Sequence, residues 1–143
     1  MADSDTKSAP VNVFAKIVHE PIAPEKVINL VRTRDSGCVA TYVGLIRDNS
    51  HGKAVCSVEY RDPTGKADQG LRAIIEEAMK RWAINAMAIY HRVGVLAVND
   101  INLVVAVGAG HRGEGLAACG FAVDEFKAKL PTTKKETCTG DTV

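Results

Sequence analysis

An α+β fold, a mixed or antiparallel sheet with covering helices, is what this 143-residue sequence predicts. Three observations lead there. Several short stretches alternate apolar and polar residues as strands do, and longer ones repeat apolar residues with helical period. In chain order the elements read β-α-β-β-α-β-β-α, with no internal repeat and no interdomain linker. Apolar residues make up 46% of the chain and charged ones 24%, the balance of one globular domain. That balance excludes a disordered chain, a collagen-like repeat and a disulfide-dense mini-protein.

Residues 1–10, rich in Ser, Asp and Ala, read as a flexible tail, 11–136 as the domain and 137–143 as a short C-terminal tail. Val11, Val13, Ala15 and Ile17 alternate into a first strand. Pro24 opens a short helix carrying Val27, Ile28 and Val31, closed by the Asp35-Ser36-Gly37 turn. Cys38 to Ile46 is apolar and β-branched, a largely buried strand running into the polar loop Arg47-Asp48-Asn49-Ser50-His51-Gly52. Ala54 to Tyr60 alternates again, so the two segments are expected to pair across that loop. Leu71, Ile74, Ile75, Ala78, Met79 and Trp82 fall at i, i+3, i+4, i+7, i+8 and i+11. They form one apolar helix face, with Trp82 packed in the core. Strands follow at about 86–92 and 101–109, around Gly94 and the Val98-Asn99-Asp100 turn. A last helix, Gly113 to Leu130, stops at Pro131.

Partners are narrowed by charge. Lys and Arg total 18 against 17 Asp and Glu, a net charge of +1, which argues against nucleic acid as partner. No apolar run approaches the roughly 20 residues needed to cross a bilayer. The polar N-terminus lacks a signal-peptide core, so a cytoplasmic protein is expected. Cys38, Cys56, Cys119 and Cys138 are scattered without C-x-x-C, and His19, His51 and His91 share no ligand spacing. The expectation is reduced thiols and no metal site.

Two segments carry candidate chemistry. Gly108-Ala109-Gly110-His111-Arg112-Gly113 joins the most apolar strand to the last helix, where an arginine and a helix start attract anions. It lacks the G-K-[ST] ending of a P-loop and the full dinucleotide fingerprint. A tight turn with solvated His and Arg explains it equally well. On the last helix, Leu116, Cys119, Val123, Phe126 and Leu130 span an arc of about 80° at 100° per residue. Lys127 falls about 20° beyond Leu116, one turn above Gly120, whereas Lys129 lies on the far side. Lys127 is thus either a lysine laying its stem along the core rim or an ammonium in a partly dry pocket, poised for proton transfer or nucleophilic attack. Lys134, Lys135 and Glu136 follow Pro131 as a small charge cluster.

Four segments, taken in order, resemble the large, catalytic subunit family of molybdopterin synthases. Gly37 to Asp48 resembles its strand ending in G-x-x-R-D, and Val58-Glu59-Tyr60 its L-E-Y. His91-Arg92-Val93-Gly94 resembles H-R-[IV]-G. His111-Arg112, Lys127 and Pro131 to Glu136 resemble H-R…K…P-x-W-K-K-E. The resemblance implies an α/β-hammerhead fold and a sulfurtransferase of molybdenum cofactor biosynthesis that works without a cofactor of its own. In that family a small ubiquitin-like carrier inserts its C-terminal Gly-Gly thiocarboxylate into the large subunit. Sulfur passes to cyclic pyranopterin monophosphate (precursor Z) to form the molybdopterin dithiolene. By resemblance Lys127 and Lys134 are catalytic, and Arg47, His111, Arg112 and Lys135 bind substrate. A homodimer with one carrier per subunit, a heterotetramer, is implied as well.

The departures define a second reading. Thr133 stands where the family has Trp, Leu116 where Phe is common, and Asp62-Pro63 where Ala-Tyr is usual. Less aromatic surface weakens substrate positioning. The alternative is therefore a non-catalytic partner- or anion-binding homologue that kept the fold and the pocket.

Overall fold

A computed structural model of the chain describes residues 12–138; the expected N-terminal tail and residues 139–143 lie outside them. In chain order the elements are β1 (Val13–Val18), α1 (Pro24–Leu30), β2 (Cys38–Leu45), β3 (Asn49–Ser50), β4 (Lys53–Ala54) and β5 (Ser57–Arg61). After them come α2 (Ala67–Arg81), β6 (Ile84–Arg92), β7 (Gly94–Ala97), β8 (Ile101–Ala109), α3 (Arg112–Ala128) and β9 (Thr133–Thr137). The fold is α+β, with a mixed sheet covered by helices.

The main sheet has the order β1-β6-β8-β2; β1 and β6 run parallel and the other pairs antiparallel. Strand alternation divides its residues between two cores. Met87, Ile89, Val105 and Val107 face α2 and α3, where Leu71, Ile75 and Phe126 meet them. Ala86, Ala88, Val104 and Ala106 face Val27 of α1 and Val31 just after it. Both faces are covered, which is why β8 is nearly continuously apolar. Trp82 borders the first core, 5.3 Å from the Phe121 ring.

A second, antiparallel sheet, β9-β5-β7, encloses a smaller core of Ile46, Val55, Val58, Val93 and Leu96. Here the structure departs from expectation. The segment containing β5 does not pair with β2; β2 pairs with β8, and β5 lies between β7 and β9. The loop between them is itself a hairpin, β3–β4, whose His51 and Gly52 both take positive φ (51° and 81°), as its two-residue turn requires. Gly94, at φ 107°, turns the chain from β6 into β7, so one continuous segment serves both sheets. Beyond Pro131 the charge cluster is a strand, and Thr137 belongs to it. Asp62 accepts hydrogen bonds from the Gly65 and Ala67 amides (3.1 and 3.3 Å), capping α2 with its own loop.

The last helix is rotated relative to its expected apolar arc. Gly115, Ala118, Cys119, Ala122, Val123 and Phe126 are buried, whereas Leu116 is 61% exposed. Small residues let α3 approach the sheet closely: a Cβ on Gly115 would stand 3.3 Å from Cys38 Sγ. Burial also pushes the Cys119 thiol up to about 11, so it stays a protonated packing group. The same rotation carries Leu116 and Lys127 to the rim together.

Candidate functional site

A cleft of about 140 Å³ opens where β2, β5, β8, α3 and β9 converge. Val58, Leu103 and Phe126 give it an apolar floor, and Tyr42, Tyr60 and Asn102 form its polar walls. Arg47, Lys127 and Lys134, expected from three distant parts of the sequence, all line it.

Each cation is held by a different device. Arg47 follows Ile46, whose amide donates to the Asp100 carbonyl (3.0 Å) and whose carbonyl accepts from the Asn99 amide (2.9 Å). The end of β2 is thereby tied to the turn before β8. Lys127 follows Phe126, which is 3% exposed and anchors its turn of α3. Its own side chain is exposed at the cleft mouth, not enclosed as the partly dry pocket would have it. Lys134 stands opposite Tyr60 in the β9–β5 ladder and pairs with Glu136 at 3.3 Å, because i and i+2 share a strand face. Among the described residues neither Arg47 nor Lys127 has an ion-pair partner. Three cations against one carboxylate leave the cleft positive, suited to an anion.

Behind the floor lies His91, fully buried. A carbonyl only accepts, so His91 Nδ1–H donates to the Asn102 carbonyl (2.9 Å), and Nε2 accepts from the Thr132 hydroxyl (2.9 Å). Tyr60 and Phe126 each meet the ring edge-on at 4.9 Å. His91 thus joins the elements bearing Lys127 and Lys134 to β8. In the sequence His91 belongs to the H-R-[IV]-G resemblance and has no ligand spacing; neither signals this buried position.

Burial holds the His91 pKa below its ordinary value, against the opposing pull of the Asn102 hydrogen bond and the Asp62 charge. The neutral ring is favoured in the fold, so its contribution to stability is complete above the unfolded-state value of about 6.5. It is lost as pH falls below that value toward the lower folded one. Urea unfolding at pH 7.5 and 5 is expected to show this decline. The His91→Phe protein should be less stable at pH 7.5 and show a shallower pH dependence; an unchanged slope would remove His91 as its source.

Other candidate residues are not gathered in the same chain. His111 and Arg112 stand at the start of α3, fifteen residues or about 22 Å from Lys127 along the helix axis. Lys135 alternates to the face of β9 opposite Lys134 and Glu136 and does not line the cleft. Lys129 pairs with Glu125 (2.8 Å) away from it, as its helical position predicts. Tyr42, Tyr60, Asn102 and Phe126 were not singled out as site residues. Asn102 had a signal, a lone amide entering an apolar strand. Among the described residues no group of His, Cys, Asp or Glu could hold a metal ion, and no helix is long and apolar enough to cross a membrane.

An α+β domain with two cations unpaired among the described residues, and a third, carboxylate-linked lysine, over an apolar floor has the features of a domain suited to a partly apolar anion. Comparison with known proteins narrows the class. Residues 17–129 match the model of the family described as MoaE protein. The molybdopterin synthase catalytic subunit of Homo sapiens is 33% identical over 82% of this chain and 62% of its own length. That of Thermoplasma volcanium is 29% identical over 88% of this chain and 92% of its own. The crystal structure of molybdopterin synthase from Staphylococcus aureus superposes with a TM-score of 0.81 at 29% identity, covering 86% of this chain and 90% of that one. The chain belongs to the MoaE protein family. It spans about three-fifths of the length of the human relative.

Proposed function

We propose that this chain is a molybdopterin synthase catalytic subunit. As such it is a sulfurtransferase that passes sulfur from a thiocarboxylated ubiquitin-like carrier to cyclic pyranopterin monophosphate, in the cytoplasm. The observation that carries the reading is the convergence of Arg47, Lys127 and Lys134 on one cleft. Both reactants are anionic, and positioned ammonium and guanidinium groups stabilise charge as it moves from thiocarboxylate to pterin. Lys127, at the mouth, meets the carrier's thiocarboxylate; insertion of the carrier tail excludes water around it. Lys134 exchanges its Glu136 partner for the incoming anion. Arg47 takes the phosphate.

A cleft of about 140 Å³ is small beside the roughly 300–1,000 Å³ of most ligand sites. We infer that further chains complete it. The reading assigns this to the carrier tail and to a second copy of the chain, whose His111 and Arg112 would complete the pocket across a homodimer.

Reconstitution tests the assignment. With thiocarboxylated carrier and the cyclic pterin, the protein is expected to form molybdopterin. Arg47→Ala should weaken pterin binding by about 1.5–3 kcal/mol and leave carrier binding unchanged. Carrier capture without product from the wild-type protein would instead favour the binding homologue, the reading that Thr133 in the place of an aromatic residue supports.

A further inference from the structure

Asn102 interrupts an otherwise apolar strand, and its polar atoms have distinct fates. Its main-chain carbonyl is taken by His91, and its Nδ2 donates to the Tyr60 hydroxyl at 3.1 Å. Its Oδ1 is shielded from solvent and, among the described residues, has no hydrogen-bond partner. That oxygen packs over Gly44, where a Cβ would come within 2.8 Å of it. Gly44, Tyr60 and Asn102 all line the cationic cleft. A buried amide oxygen left unpaired is destabilising, and no hydrogen bond from the described residues offsets it.

We propose that Asn102 is a ligand-binding residue: its Oδ1 accepts an N–H of the heterocycle whose anionic group Arg47, Lys127 and Lys134 hold. The inference rests on the sulfur-transfer reading and deepens it. The three cations are donors, matched to an anion, and the Glu136 carboxylate is engaged by Lys134. Among the described residues, Asn102 Oδ1 is a buried acceptor beside them that has no partner. A ligand satisfying the whole cleft carries an N–H edge next to its phosphate, as a pterin monophosphate does. Turning Oδ1 from Gly44 toward the cleft uses the terminal side-chain torsion, which is soft, and needs no backbone movement. A half-turn exchanges the two amide atoms, so the Tyr60 hydroxyl, both donor and acceptor, then donates to Oδ1, whose second lone pair is left for the ligand.

Calorimetric titration of the full chain with two probes, cyclic pyranopterin monophosphate and inorganic phosphate, tests this. Asn102→Leu and the smaller Asn102→Ala are expected to raise the Kd for the pterin about tenfold and leave that for inorganic phosphate within twofold. In turnover, KM for the pterin should rise with kcat within twofold. Unchanged pterin affinity in either folded variant overturns the role of Asn102 and leaves the sulfur-transfer reading standing. Parallel loss of phosphate affinity marks a distorted cleft and overturns it too. A wild-type protein that binds no pterin and forms no product defeats the sulfur-transfer reading and takes this role down with it.

Discussion

Lys127→Ala is expected to lose molybdopterin formation by a factor of about 10²–10⁴, the usual contribution of a positioned acid, base or charge stabiliser. The fold should be unaffected, because the side chain is exposed and its turn is held by the neighbouring Phe126. Lys129→Ala is the control. It removes the same charge and stem from the same helix, but from a lysine paired with Glu125 outside the cleft. Turnover of that variant should stay near normal. Lys134→Ala should fall between them, since Lys134 lines the cleft but shares its charge with Glu136. Single-turnover measurement with purified thiocarboxylated carrier ranks all three. Near-normal turnover by a folded Lys127→Ala protein would withdraw the catalytic role and promote the binding reading.

The largest effect on stability is expected at Gly108. A Cβ there would overlap the Val31 carbonyl and stand 3.2 Å from Ser36 Oγ. Neither side can yield: Gly108 lies in an interior strand of the main sheet, and Val31 closes α1 with its own amide bonded to the Ile28 carbonyl (3.1 Å). Gly108→Ala should therefore cost about 3 kcal/mol, roughly 10 °C in melting temperature. Gly120→Ala makes the opposite change. Gly120 is exposed on α3, with nothing within 4 Å of an added Cβ, so the substitution should stabilise the helix by up to about 1 kcal/mol. Thermal unfolding of the two variants reads both signs. A Gly108→Ala protein as stable as wild type would mean that α1 does not pack on β8 this closely.

Periodicity is a local property, and what depended on it was legible in the sequence. The core face of α2, the apolar character of β8, and the placing of Lys127 beside Leu116 and away from Lys129 on the last helix follow from the spacing of neighbouring residues. The ordered motifs named three residues, Arg47, Lys127 and Lys134, that share one cleft. Tertiary structure decided the rest, because pairing is set by residues far apart in the chain. Thr133–Thr137 has no apolar alternation, all five of its residues are exposed, and it is a strand only because β5 offers it a ladder. The β5 segment looked like a partner for β2 across a short loop. The turn at Gly94 instead supplies β7 as its neighbour, and β8 claims β2. The rotation of α3 answers to the closeness of sheet packing through Gly115, which no helical wheel contains. His91 and Asn102 acquired their roles in the same way: a buried ring and an amide mean little until the fold fixes what their polar atoms face.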